Sequence, residues 1–355
     1  MKHHVIIAAG GSGGHLLPAQ VVAQELQKEG VTSTFAAFGL NENLFFERSA
    51  WPFYEILASP TSASVTFLLK ASQGIAQAIR MFRKERPSLV IGFGSYHVFP
   101  VLAAAVILRI PIVLYAADAV PGRAIRLFAP FARWTGCFFG EAAATLRGTA
   151  YQVDFPLRQE LRSPPSQTEG CSHFGFTYQY PTILVIGGSQ GAKAVNAIVP
   201  KALSRLALTP TVIHLAGHAS DIDGLCATYR TLAIKAFVHP FEHAMHYAFA
   251  AADIVIARSG ACTIAEIEAC CKPAIYIPYP RSMDDHQKKN ASLAAARGRA
   301  VVIDEAEATP ERVASSIEWL LDPCAQKCEY QGIYPPTFVA KILHTLNEVR
   351  PCQRR

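Results

Sequence analysis

Short unbroken apolar runs alternate along the chain with stretches of helical period. The runs predict strands at Val5–Ala9, Thr34–Phe38, Leu89–Phe93, Ile112–Tyr115, Ile183–Ile186, Val212–Leu215, Ile254–Ala257, Ala274–Pro278 and Ala300–Ile303. Several are apolar at every position, as strands covered on both faces of a parallel sheet are. Between them, Ala19–Glu29, Ser72–Lys84 and Cys262–Cys270 predict helices. Repetition of strand, helix, strand is the α/β signature.

The pattern breaks once. Residues 159–181 hold Pro164, Pro165, Gly170 and Pro181 among polar residues with no clear period. This predicts a linker between two doubly wound domains. Each half opens with a strand, a glycine-rich loop and a helix. The first reads Gly10-Gly11-Ser12-Gly13-Gly14-His15 after its strand, the second Gly187-Gly-Ser189-Gln190-Gly191-Ala192. The expected division is 1–158 and 159–336. A last helix, Thr337–Val349 within 337–355, is expected to pack back on the first domain.

Composition narrows the class. Of 355 residues 51% are apolar and 17% charged, which excludes a disordered chain. The net charge of +6 suits an anionic partner or an anionic membrane surface and gives no argument for nucleic acid. Nine cysteines form no C-x-x-C pair, so neither a secreted disulfide framework nor a zinc ribbon is expected. Met1-Lys2-His3-His4 leads straight into the first expected strand, so no signal peptide is expected. The longest apolar run, Val98–Leu108, is broken by Pro100 and closed by Arg109. A membrane span needs about 18 such residues, so a soluble chain is expected, meeting a membrane only at its surface.

Bare backbone N–H groups at a helix start favour an anion, usually phosphate. A glycine can equally serve there only to make the turn. Neither loop has the Lys of a P-loop or the acidic residue of a dinucleotide fingerprint. Two such loops in similar domains suggest two anionic ligands, or one shared. His15 follows the first loop at a helix start, where the dipole favours a neutral, base-competent imidazole. A capping or packing role is the alternative.

In the second half, Arg258-Ser259-Gly260-Ala261-Cys262-Thr263-Ile264-Ala265-Glu266 follows a strand. Ser259-Gly260 starts a helix able to hold phosphate. Thr263 and Glu266 share a face, and Glu266 is placed to accept from both ribose hydroxyls of a nucleotide. The same pair also reads as a capping box. Asp284-Asp285-His286-Gln287-Lys288-Lys289-Asn290 follows another strand, where open α/β sheets place ligands. Gln287 suits sugar hydroxyls. A metal site at Asp284-Asp285-His286 and a plain solvated helix start are the alternatives.

Taken together, these motifs resemble the MurG family of UDP-N-acetylglucosamine transferases over nearly the whole chain. The resemblance is carried by Gly10–His15, Gly92-Phe-Gly-Ser-Tyr96, Pro121-Gly122, Pro156-Leu-Arg158, Gly187–Ala192, Arg258–Ala261, Glu266, His286-Gln287 and Asn290-Ala291. It implies a GT-B fold, two Rossmann-like domains facing across a cleft. It implies inverting transfer of N-acetylglucosamine from UDP-N-acetylglucosamine to the muramyl C4 hydroxyl of lipid I. Lipid II and UDP would be the products, serving peptidoglycan synthesis, cell shape and division. No metal or other cofactor is implied. The implied partners are the donor, lipid I, the cytoplasmic face of the inner membrane, held peripherally, and other cell-wall synthesis proteins.

By matching position, the donor side is Arg158, Ser189, Gln190, Glu242, Ala261, Cys262, Thr263, Glu266, Gln287 and Lys288. Phe241-Glu242 falls where the family binds uracil through backbone atoms. Gly11, Ser12, Gly13 and Gly14 match the acceptor diphosphate loop, and His15 a candidate base. The sequence departs from the family elsewhere. Where the family reads His-Glu-Gln-Asn, this chain has Tyr115-Ala116-Ala117-Asp118. Asp154-Phe155 replaces Gly-Asn, and Lys288 replaces a Gln. Asp118 is therefore a second candidate base, or a group that orients His15 or the sugar. A GT-B enzyme with another acceptor, or an impaired UDP-sugar-binding scaffold, fits the same residues.

Thr66–Lys70 and Ile75–Arg86 combine apolar residues with Lys70, Arg80, Arg83, Lys84 and Arg86. That predicts a basic amphipathic surface for anionic lipid. The alternative is an ordinary helix burying Ile75, Ile79 and Phe82.

Overall fold

The computed structural model describes residues 3–59, 65–178, 181–188, 191–322 and 337–349. Contacts divide the chain into two units, Met1–Pro156 with Tyr334–Arg355, and Leu157–Ile333.

The first unit runs β1 (His4–Ala8), α1 (Gly13–Lys28), β2 (Thr32–Ala37), β3 (Phe53–Glu55), α2 (Val65–Glu85) and β4 (Leu89–Gly92). It continues with α3 (Phe99–Ile107), β5 (Ile112–Ala116), α4 (Arg123–Phe128), β6 (Trp134–Cys137), α5 (Gly140–Ala143) and β7 (Ala150–Gln152). All seven strands are parallel, in the order β3-β2-β1-β4-β5-β6-β7. The order reverses between β1 and β4, and the loops that follow these two strands leave the sheet at that point. In such sheets ligands bind there.

The second unit begins with α6 (Gln159–Arg162) and α7 (Gln167–His173), then β8 (Thr182–Ile186), α8 (Lys193–Leu203), β9 (Thr211–Leu215) and α9 (Ile222–Thr231). Next come β10 (Ala236–His239), α10 (Met245–Ala251), β11 (Ile254–Ala257) and α11 (Ala261–Ala269). It closes with β12 (Ala274–Tyr276), α12 (His286–Arg297), β13 (Ala300–Val302) and α13 (Pro310–Leu321). The six strands are parallel in the order β10-β9-β8-β11-β12-β13, with the reversal between β8 and β11. The core under this sheet is built from Ile183, Val185, Val195, Val199, Val212, Ile254, Ile256, Ile275 and Ile317, all fully buried.

Every strand expected from an apolar run is present, and four more join them. β3, β6, β7 and β10 carry no such run. The residues expected to be a bare linker differ most. Ser166 starts α7 with a capping box, its hydroxyl accepting from the N–H of Glu169 while Glu169 accepts from the N–H of Ser166. α7 then packs on α10 so closely that a methyl group on Gly170 would meet Ala251 N at 2.6 Å. The segment is thus a folded part of the second unit.

α14 (Phe338–Glu348) returns to the first unit. Phe338, Ile342 and Leu346 are buried. The Phe338 ring meets Tyr115, Trp134 and Phe93, and Trp134 Nε1 donates to Thr345 Oγ1 at 2.9 Å. Asp154 Oδ1 accepts from the N–H of Phe338, and the Tyr115 hydroxyl donates to the Asp154 carbonyl. Phe155 completes the cluster against Tyr115. Three residues that depart from the family pattern therefore form one packed set that seats α14.

α2 turns its apolar face inward. Ala78, Met81 and Phe82 are buried, while Leu69, Lys70, Arg80, Arg83, Lys84 and Arg86 are exposed. Met81 and Phe82 are core, which corrects their expected place on an amphipathic surface. Thr66 belongs to the helix backbone, and the side chains of 65–68 lie outside the described residues.

Candidate functional site

In the first unit the chain leaves β1 through Gly10 and Gly11, with Gly11 at φ +89°. Ser12 is the N-cap of α1 without a capping side-chain bond, and Gly13 and Gly14 open the helix. The first-turn N–H groups of a 16-residue helix thus follow the loop. Asn43 Nδ2 donates to the Gly11 carbonyl at 2.7 Å and steadies it. His15 lies in the first turn, half-buried, with Nδ1 3.2 Å from Ser12 Oγ. Asp118 is half-buried in the bend after β5, at the same carboxyl edge of the sheet, two strands from β1.

In the second unit α11 starts at the N-cap Gly260, again without a capping side chain, so Ala261, Cys262 and Thr263 supply its first-turn N–H groups. Thr263 lies inside the helix at its third position, not at the cap, so Thr263 and Glu266 make no capping box. Glu266 is 8% exposed and pairs with Arg158, whose Nη2 lies 3.3 Å from Oε1. Arg158 also donates to the carbonyl of His243 at 3.1 Å. Burial pushes the Glu266 carboxyl above the usual carboxylate range, and the Arg158 guanidinium opposes the rise. The Cys262 thiol bonds the same carboxyl and is pushed up by burial, then by the Glu266 charge, so it stays protonated.

α12 is tied to the start of α11. Ser259 Oγ donates to the Gln287 carbonyl at 2.8 Å, and buried Asn290 donates to the Ser259 carbonyl at 3.1 Å. Gln287 Oε1 accepts from the N–H of Tyr279, fixing its amide beside the turn after β12. Glu242 accepts from the N–H of Ala244 ahead of α10. The structure thus brings Arg158, Cys262 and Glu266 into one cluster, with Gln287 linked through Ser259. Lys288 is drawn to Asp304, at 2.6 Å, on the exposed side of α12. Ser189 and Gln190 lie outside the described residues.

The loop after β8 is braced from beneath. Buried His214 bonds Tyr229 at 2.8 Å and Asn196 at 3.0 Å, and burial pushes it down to about 3, so it is neutral. Asn196 in turn donates to the Ala216 carbonyl. Gly217, at φ +91°, lies so close to Gly191 that a methyl group would meet its Cα at 2.2 Å. Gly217→Ala is expected to lower the melting temperature by roughly 5–10 °C, an effect of about 2–3 kcal/mol. An unchanged thermal melt would show that the two backbones give way.

Among the described residues, no three or more His, Cys, Asp or Glu stand where they could hold a metal ion, and Asp284, Asp285 and His286 form no such group. Asn43, Asn290 and Ser259 were not singled out for these bracing roles. A short polar side chain that pairs with a distant carbonyl leaves no periodic signal.

Residues 5–136 match the glycosyltransferase family 28 N-terminal domain, and residues 182–331 the family 28 C-terminal domain. The UDP-N-acetylglucosamine--N-acetylmuramyl-(pentapeptide) pyrophosphoryl-undecaprenol N-acetylglucosamine transferase of Protochlamydia amoebophila (strain UWE25) is 42% identical over 336 residues, 92% of this chain and 89% of that protein. The protein of the same name in Nitrosococcus oceani is 33% identical over 334 residues, 90% of each chain. The crystal structure of Acinetobacter baumannii MurG aligns with a TM-score of 0.79 at 25% identity, over 98% of this chain and 100% of that one. The glycosyltransferase SnogD from Streptomyces nogalater shares the fold alone, with a TM-score of 0.63 at 16% identity. Two parallel-sheet units carrying these domains define a GT-B glycosyltransferase of family 28. Within it, the chain belongs to the MurG family.

Proposed function

We propose that this protein transfers N-acetylglucosamine from UDP-N-acetylglucosamine to the muramyl C4 hydroxyl of lipid I, giving lipid II and UDP for peptidoglycan synthesis. The observation that carries the reading is the start of α11. An uncapped helix terminus and a buried carboxylate one turn further, paired with Arg158, suit a nucleoside diphosphate. The first-turn N–H groups hold the diphosphate, and Glu266 accepts from the ribose hydroxyls. Gln287 contacts the sugar, and the Glu242 loop meets the base. Lys288, held by Asp304, is left out of this set.

The acceptor's diphosphate lies at the Gly11–Gly14 loop. A base takes the proton of the C4 hydroxyl, and the oxygen attacks the anomeric carbon on the face opposite UDP. The bond from that carbon to the β-phosphate oxygen breaks, and its electron pair leaves with UDP. The donors of α11 stabilise the charge that grows there. His15 is the base this arrangement favours, with Asp118 the competing group. The residues supply binding, charge stabilisation and a base, so no metal or other cofactor is part of this scheme.

A turnover assay with UDP-N-acetylglucosamine and a short-chain lipid I analogue, following UDP and product, tests the reading. Product matching lipid II supports it. Donor binding without transfer would favour a different acceptor or a UDP-sugar-binding scaffold. The buried Tyr115 motivates that second reading, because the family's imidazole is missing at the end of β5.

Among the described residues no helix is long and apolar enough to cross a membrane. We place the chain peripherally on the cytoplasmic face of the inner membrane, through the basic stripe of α2. Exposed Leu127 and Phe131, flanked by Arg123, Arg126 and Arg133, add an apolar element the sequence reading did not single out. Binding to anionic vesicles is expected to fall severalfold between 0.05 and 0.5 M salt, by about the change in charge screening, in a flotation assay. Equal binding to neutral vesicles would count against it.

A further inference from the structure

The turn after β4 is strained. Gly94 and Ser95 both have positive φ, +87° and +72°, and Ser95 is not a glycine. Such an outlier points to a constraint, and here the constraint is His97. Ser95 Oγ lies 2.6 Å from His97 Nδ1. The ring stacks on Tyr96 at 3.9 Å and faces Phe38 at 5.9 Å. The His97 carbonyl accepts from the N–H of Phe38. These contacts fix the imidazole against the loop after β1. A methyl group on Gly11 would come within 3.0 Å of His97 Cε1 and Nδ1, and one on Gly10 within 3.0 Å of His97 Cβ. Bare backbone at positions 10 and 11 is what admits the ring. Nδ1 is taken by Ser95, and among the described residues no hydrogen bond is made by Nε2 of this half-buried side chain.

We propose that His97 belongs to the anion site of the Gly10–Gly14 loop and binds the acceptor's diphosphate through Nε2 as an imidazolium, taking its proton from water. This deepens the reading above and rests on the acceptor's diphosphate lying at that loop.

The charges around the ring support it. Without ligand, burial lowers the His97 pKa first and the His15 imidazole second, with Glu55 opposing. Glu55 is already engaged, since its carboxylate accepts from the N–H groups of Gly39, Leu40 and Asn41. Ser95, Tyr96 and Phe38 bring no charge to the ring at neutral pH. His97 is therefore neutral before the ligand arrives. A diphosphate places negative charge beside both imidazoles and favours the uptake of one proton. The two neighbours share that titration and do not both charge readily. His15 sits in the first turn of α1, where the helix dipole opposes a cation, and His97 lies outside that helix. The proton therefore goes to His97.

The sign follows. Acceptor affinity is full below the free-protein pKa of His97, falls as pH rises above it, and loses this contribution once pH passes the bound-state pKa. In the turnover assay the wild-type acceptor KM is expected to rise severalfold between pH 6.5 and 8.5, part of the roughly tenfold range that a shift of about one pKa unit gives. His97→Gln is expected to hold the high KM at every pH, with the donor KM unchanged. Calorimetry of the wild-type protein with the lipid I analogue, in Hepes and in Tris, is expected to register net proton uptake at pH 7.5. An acceptor KM profile unaltered by His97→Gln, or no proton uptake by the wild type, overturns the proposal. No transfer by the wild type at any pH overturns the functional reading, and this proposal with it.

Discussion

Glu266→Gln is expected to raise the KM for UDP-N-acetylglucosamine about a hundredfold or more, with the acceptor KM little changed. Each hydrogen bond to a charged group contributes about 1.5–3 kcal/mol, and in the proposed donor site the carboxylate accepts from two ribose hydroxyls. Glutamine keeps one acceptor oxygen but turns an NH2 toward a hydroxyl and toward the guanidinium of Arg158, 3.3 Å from Oε1. The half-buried Arg158 guanidinium is then left without its counter-charge. The same carboxyl sets a pH dependence. Burial raises its pKa, and Arg158 only opposes the rise. The ionised form binds ribose, so donor affinity is present above that raised pKa and is lost as pH falls through it. The wild-type donor KM should begin to climb on acidification at a higher pH than an exposed carboxylate would give. Glu266→Gln should be flat over that range. Donor KM profiles of the two proteins check this, and a mutant profile that still follows the wild type would remove Glu266 from the ribose site.

His15→Ala is expected to lower kcat by roughly 10²–10⁴, the usual range for a lost general base, with both KM values within a few fold. His15 Nδ1 faces Ser12 Oγ at 3.2 Å, and Nε2 is turned toward Gly94, where a methyl group would lie 3.7 Å away. An imidazole in the first turn beside the Gly11–Gly14 loop suits a base. Asp118→Asn makes the paired measurement. If His15→Ala retains kcat and Asp118→Asn loses it by a hundredfold, the roles exchange. If neither loses turnover, neither is the essential base.

The expected α/β fold was legible because its central strands are buried on both faces. β1, β8 and β11 read as apolar at nearly every position, and each lies inside its sheet. The missed strands are of another kind. β6 contains Thr135 and Gly136, and Gly136 is there because a side chain would strike Phe338, some two hundred residues later. β3, β7 and β10 are edges, short and half-exposed. The helical period of α1 is clear only from Ala19, because Gly13, Gly14 and Pro18 are poor helix formers. The helix starts at Gly13, with Pro18 inside at the expense of one backbone hydrogen bond. The Ser166/Glu169 box was present in the sequence but obscured by the prolines around it. Of the site, the cluster of Arg158, Cys262 and Glu266 was reached by motif. His97 was not, because its significance depends on two glycines, Gly10 and Gly11, far away in the chain.

The seating of α14 has a consequence for how the chain acquires its structure during synthesis. β6 and β5 leave the ribosome long before Phe338, yet Trp134 and Tyr115 need that ring to complete their burial. All strands of the second unit are made in between. The second unit can therefore finish folding first, while the nascent first unit waits with an aromatic groove uncovered. Such surface is where a growing chain is exposed to aggregation and chaperone capture. A premature stop just before α14 would leave a chain with every strand of both sheets but a first unit that never closes.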